Sequence, residues 1–172
     1  MKPVFVSICI IVGIVVLPAS LLYLFGRLQP ERHTSTIWFT LSKPPAVVWE
    51  ALTDYAAMPK WWPAVKKVRF ETPADGRTIT WNTDNHGKET GFRTLEEKPP
   101  ARLVREIVGE NLPYGGTWTY ALADEQGHTR LTLTEDGFIK SPFLRGIEKL
   151  FVKKATTMHD FEKNFSAYLE SK

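Results

Sequence analysis

Residues 141–169 read SPFLRGIEKLFVKKATTMHDFEKNFSAYL, and the fold turns on this stretch. Leu144, Ile147, Phe151, Ala155, Met158, Phe161, Phe165 and Tyr168 recur at three-and-four spacing, the signature of an amphipathic helix. Lys149, Lys153, Lys154, Glu162 and Lys163 fall mainly on the opposite face. Ser141 supplies a cap and Pro142 a first-turn residue that needs no hydrogen-bond donor. A single helix of 29 residues would be about 43 Å long. Such a stripe needs one broad apolar partner, and a β-sheet crossed from end to end fits that need.

The chain upstream supplies that sheet. Thr36–Leu41 alternates and is rich in β-branched and aromatic residues, so it reads as a strand. Ser42-Lys43-Pro44-Pro45 stops it, with Ser42 expected to cap a helix carrying Val47, Val48, Ala51 and Leu52. Asp54 to Pro59 reads as a break and a second short helical turn, followed by Trp61-Trp62-Pro63. Six extended segments come next: Val65–Glu71, Thr78–Thr83, Glu89–Glu96, Arg102–Val108, Thr117–Leu122 and His128–Asp136. Asp75-Gly76 and Asn85-His86-Gly87 suit hairpin tips. Gaps this short favour antiparallel pairing, because a parallel crossover takes a dozen or more residues. The expected fold is α+β: seven antiparallel strands curved around one long C-terminal helix, with two short helices after the first strand.

Ahead of this domain, Val4–Phe25 runs 22 residues without a charge. As a helix it would span about 33 Å, enough for a hydrocarbon core of about 30 Å. Residues 1–26 are therefore expected to form a single-pass transmembrane anchor, residues 27–35 a polar tether and residues 36–172 the folded domain. A cleaved signal peptide is the competing reading, for which Pro18-Ala19-Ser20 offers small residues, although Leu21 to Phe25 continues the apolar run. Lys2 flanks one end of the segment, and Arg27 and Arg32 the other. That near balance leaves the side of the membrane undetermined.

The net charge is +3. Lys2, Arg27 and Arg32 against Glu31 precede His33, so two of these charges sit beside the apolar segment. The folded part is nearly neutral, which argues against nucleic acid as a partner. Cys9 is the single cysteine, so no intramolecular disulfide can form. His33, His86, His128 and His159 are scattered without metal-ligand spacing, and neither a metal site nor a cofactor is expected. No nucleophile stands in the context of a base and its orienter, so no catalytic residue is assigned.

The order of elements, with the residues that fill them, resembles the START-like or SRPBCC superfamily. More narrowly it resembles the polyketide cyclase/dehydrase and lipid transport group, with the helix-grip fold. The carrying stretches are Pro45 to Tyr55 (PAVVWEALTDY), Met58 to Pro63 (MPKWWP) and Glu97 to Val104 (EKPPARLV). Gly116 to Leu122 (GTWTYAL) and Thr129 to Gly137 (TRLTLTEDG) complete the set. The resemblance extends over Thr34 to Lys172 and implies a cavity between the concave face of the sheet and the C-terminal helix.

Strand alternation then selects the candidate wall. Trp118 and Tyr120 share one face of a strand, and Leu131, Leu133 and Glu135 share a face of the next. Phe151 and Met158 are expected opposite them on the helix. Arg105 and Glu135 are the polar residues expected to orient a ligand, since a charge on an apolar face is costly unless paired or wet. Trp61 and Trp62 are expected at the cavity lip, or at a membrane interface. The resulting expectation is a membrane-anchored module that holds or transfers a small hydrophobic, lipid-like ligand. A cyclase- or dehydrase-like enzyme and a domain that binds a protein partner are the alternatives.

Overall fold

The computed structural model describes residues 12–152 and 155–172. A π-helical turn, Val12–Val16, leads into α1 (Leu17–Arg27). Then follow β1 (Arg32–Leu41), α2 (Pro45–Thr53), a 3-10 turn (Tyr55–Ala57), α3 (Met58–Trp61), β2 (Lys67–Glu71), β3 (Ile79–Thr83) and β4 (Glu89–Lys98). The chain continues through β5 (Arg102–Val108), β6 (Tyr114–Glu125), β7 (His128–Ile139), α4 (Pro142–Phe151) and α5 (Thr156–Glu170).

The sheet has seven strands in the order β1-β7-β6-β5-β4-β3-β2. Every neighbouring pair is antiparallel. β2 to β7 form a meander, and β1 pairs with β7 at the far edge. The two short helices therefore carry the chain from one edge of the sheet to the other. Asp84 closes the β3–β4 turn by accepting from the backbone N–H groups of His86 and Lys88 at 2.7 and 2.9 Å. Gly87 supplies the positive φ, 81°, that this turn requires.

Several boundaries move outward from those expected. β1 begins at Arg32, so the C-terminal part of the expected tether is strand. The Thr34 hydroxyl donates to Asp136 at 2.6 Å and fastens that extension to β7. Ser42 does not cap α2; Pro44 occupies that position without a side-chain bond. The preceding loop is held from the sheet instead, by the buried Thr129 hydroxyl donating to the Lys43 carbonyl at 2.7 Å.

The single 29-residue helix is not formed. α4 ends at Phe151, Val152 is extended, and Ala155 has a left-handed φ of 56° before α5 starts. α5 lies on the sheet, burying Met158, Phe161, Phe165 and Leu169. α4 takes a different partner. It packs on α1 at a point where both helices carry glycine, Gly26 and Gly146. A Cβ on Gly146 would lie 2.6 Å from the Leu22 carbonyl oxygen, and one on Gly26 would run into the Pro142 carbonyl. Arg145 adds a brace, donating to the carbonyls of Gly26 (3.1 Å), Ile139 (2.8 Å) and Lys140 (3.0 Å). The periodicity ran on through residues 151–155, but two different partners claim its two halves. Ser141 does cap the first half, accepting from the Leu144 N–H at 3.4 Å.

Gly146→Leu is expected to push α1 off α4 without disturbing the sheet. Amide exchange across Leu17–Arg27 should quicken about tenfold or more, while β5 to β7 stay protected.

The expected anchor falls partly on residues 4–11, which lie outside the described residues. Among the described residues no helix is long and apolar enough to cross a membrane. α1 has 11 residues, with Pro18 in its first turn. Its outer face carries exposed Leu17, Leu21, Leu24 and, just beyond it, Leu28.

Candidate functional site

The register of the sheet sets which side chains share the concave face. Arg105 on β5 lies opposite Trp118 on β6, which lies opposite Glu135 on β7, which lies opposite Ser35 on β1. The next row on this face is Leu103, Tyr120, Leu133 and Ile37. Beyond it Leu122, Leu131 and Phe39 align and are buried. The face grades from solid hydrocarbon at one end to a polar row at the other.

α3 and α5 close over the hydrocarbon end through one aromatic cluster. The Trp61 ring lies 5.6 Å from Phe161, 5.1 Å from Phe165 and 6.1 Å from Tyr168, centroid to centroid. Trp62 stands perpendicular to Trp61 at 5.7 Å. The break after Asp54, whose side chain accepts from the Ala57 N–H at 3.3 Å, turns α3 so that Trp61 reaches the sheet.

Over the polar end the helix does not fill the space, and a cavity of about 400 Å³ remains. Its wall is mostly apolar and aromatic, including Met58, Trp62, Phe92, Trp118 and Phe161, with Asn82, Arg105, Tyr120 and Glu135 among them. This size and lining are typical of small-molecule sites. A second, outer chamber of about 730 Å³ lies between the start of β1, the end of β7 and the α4–α5 break. The two share Ile107, Tyr114, Glu135 and Thr157.

The polar groups are unevenly satisfied. Nη2 of Arg105 donates to the Thr80 hydroxyl at 2.5 Å and to the Phe92 carbonyl at 2.8 Å. The guanidinium stacks on the Tyr55 ring at 4.1 Å. Nε of Arg105, the indole nitrogen of Trp61 and Oδ1 of Asn82 are buried without a hydrogen-bond partner. Burial pushes the Arg105 guanidinium below its usual range and the Tyr55 and Tyr120 hydroxyls above theirs. Burial also raises the Glu135 carboxyl; His33, at 4.0 Å, pulls it back in part, and Glu148 adds to the rise.

A raised carboxyl destabilises the folded state once it ionises. Between the unfolded value, near 4.5, and the higher folded value the native protein holds more protons, so stability falls as pH climbs through that window. Glu135→Gln is neutral throughout. The variant should melt above the parent at pH 8 and together with it at pH 4, as read by thermal unfolding across that range.

The sequence-derived residues separate into three places. Trp61, Trp62, Arg105, Trp118, Tyr120 and Glu135 line the cavity. Leu131, Leu133 and Met158 are fully buried in the packed core beside it. Phe151 does not face the cavity: it is 74% exposed at the end of α4, because that helix leaves the sheet. Tyr55, Thr80, Asn82, Phe92 and Ile107 were not singled out from sequence. Thr80, Asn82, Phe92 and Ile107 alternate on strands as cavity residues must, but nothing in the sequence shows which face of β3 and β4 is concave. Glu96, in the adjacent Glu96-Glu97 pair, faces out and bonds Lys98 (2.6 Å) and Arg102 (3.1 Å). Among the described residues no group of three His, Cys, Asp or Glu side chains is placed to hold a metal.

Residues 33–166 match the family described as polyketide cyclase / dehydrase and lipid transport. The chain belongs to that family. Solved structures with the same fold include the di-domain ARO/CYC BexL from the BE-7585A biosynthetic pathway, with a TM-score of 0.62 and 14% identity. That match covers 86% of this chain and 52% of BexL, so the chain spans about half its length. Ara h 8.0201 matches at TM-score 0.61 and 15% identity, over 82% of this chain and 99% of its own. Norcoclaurine synthase from Thalictrum flavum matches at 0.60 and 12%, over 82% and 88%. At these identities the likeness is one of fold. No curated protein matches the sequence significantly. The matched residues include the sheet, the short helices, α4 and most of α5; α1 lies ahead of them.

Proposed function

We propose that this protein is a binding module that holds or transfers a small hydrophobic ligand in the cavity between the sheet and α5. The observation that carries the reading is the cavity of about 400 Å³, walled by aromatic and apolar side chains with a few buried polar groups. Such a wall removes an apolar body from water and fixes its orientation at a few points. The family description, which includes lipid transport, supports the same reading.

The proposal includes a tether. The uncharged stretch from Val4 to Phe25 supports a position at a membrane, as do the outer faces of α1 and α4. Leu17, Leu21, Leu24, Phe143, Leu150 and Phe151 are exposed there. An apolar surface of this kind suits the interfacial layer of a bilayer.

Native mass spectrometry of the full chain, released from detergent and followed by lipid extraction, tests the reading. A stoichiometric apolar molecule is the expected result. A chain that emerges empty and takes up no fluorescent fatty acid or sterol would overturn it.

One observation favours cyclase-like chemistry as a second reading. Glu135, its carboxyl raised by burial, faces the same cavity as Arg105 and Tyr120. A carboxyl whose pKa is raised is better matched to proton transfer than an ordinary one. A Glu135→Gln variant that binds ligand normally but loses turnover of a poly-β-keto substrate is the result that would establish it.

A further inference from the structure

The ligand's chemical class can be read from Arg105, granted that the cavity is the binding site. This side chain is 4% exposed, and its partners are neutral: a threonine hydroxyl, a backbone carbonyl and the faces of Tyr55 and Phe92. Among the described residues no carboxylate stands within ion-pair distance of it. The two hydrogen bonds both leave from Nη2, and Nε has no acceptor. A guanidinium does not shed its proton in a protein, so the charge stays, and a buried charge without a counterion is expensive.

Glu97 is the carboxylate whose charge reaches Arg105, but it forms no ion pair with it and does not line the cavity. Asp84 and Glu135 do line the cavity, and the register keeps Glu135 apart from Arg105. Arg105 and Glu135 sit on β5 and β7 with Trp118 of β6 between them. Two inter-strand spacings amount to about 9.5 Å. Glu135 has its own neighbour in His33. Around Arg105 the wall is Phe92, Trp118 and Tyr120, with Trp62 and Phe161 farther along the same cavity. The site is therefore a fixed positive charge in a mostly apolar chamber.

We propose that the ligand is a carboxylic acid with an apolar body, its carboxylate bound to Nη1, the nitrogen of the Arg105 guanidinium that neither bonds the protein nor is sealed within it. A hydrogen bond between a guanidinium and a carboxylate is charge-assisted and stronger than one between neutral groups. The aromatic wall takes the hydrocarbon, and the polar end of the cavity takes the head. The acid end thus points toward β4 and β5 rather than toward the outer chamber.

The test compares decanoate with methyl decanoate on the full chain, following the fluorescence of the cavity tryptophans. The acid is expected to bind about tenfold or more tightly than the ester. Arg105→Gln should bring the acid down to the level of the ester, and Arg105→Lys should keep part of the preference. Carboxyl-labelled decanoate gives a readout that needs no variant. Its carbon resonance, titrated while bound, should show a pKa at least about one unit below that of the free acid, the equivalent of a tenfold preference for the anion. Equal affinity for acid and ester, or an unshifted bound carboxyl, overturns the proposal while the binding-module reading stands. Failure of acid, ester and decanol alike to bind overturns both.

Discussion

Trp61→Ala should cost about 3–5 kcal/mol, among the largest losses any single truncation here would bring. The indole is 7% exposed and joins α3 to the aromatic cluster, touching Trp62, Phe161, Phe165 and Tyr168. α3 has only four residues, too few to hold itself by its own hydrogen bonds. Its place over the sheet therefore depends on what its side chains bury. Removing the indole leaves a void lined by α5 residues whose backbone is pinned elsewhere, so collapse into it is incomplete. The melting temperature should fall by about 10 °C or more, taking 2–4 °C per kcal/mol for a chain of this size. Trp62→Ala, at the cavity rim, should cost clearly less. Equal losses at the two positions would show that the cluster has no centre.

Ile107→Trp should abolish useful ligand binding while leaving the protein folded. Ile107 lies on the wall shared by the inner cavity and the outer chamber. An indole there enters space that the fold leaves open, so the usual overpacking cost of about 1–3 kcal/mol should be at its lower end. A ligand seated in the cavity must then give up its place. Affinity for a bound fatty acid is expected to drop about a hundredfold, about 2.8 kcal/mol. Unchanged affinity with an unchanged melting temperature would put the ligand elsewhere on the molecule.

These residues also show how far the sequence could be read. The meander was legible because β-strands announce themselves twice: by alternation, as in Trp118, Tyr120 and Leu122, and by turn residues such as Asp84 and Gly87. The grouping of Glu135 with Leu131 and Leu133 followed from that alternation, whereas the face of Arg105 is set by its register opposite Trp118. The helix break was not legible. Leu144, Ile147 and Phe151 keep the same period as Met158, Phe161 and Phe165, and periodicity says that a face is buried without saying against what. Gly26 and Gly146 settle it, but two glycines 120 residues apart in sequence carry no sign that they meet. Thr80 was equally silent. Its role depends on the reach of a guanidinium from two strands away, which is a property of sheet curvature rather than of local pattern.

Because the C-terminal helix is split, α5 covers only part of the groove, and the remainder opens beside His33, Tyr114 and the end of α1. A container with one mouth must let its contents out the way they came in, so grip and release are tied to the same lid. Here the inner cavity and the outer chamber share Ile107, Tyr114, Glu135 and Thr157. On the proposed function, the aromatic clasp at Trp61 stands on one and the start of β1 on the other. How tightly a cargo is held and how quickly it is handed on could then be tuned by different parts of the chain.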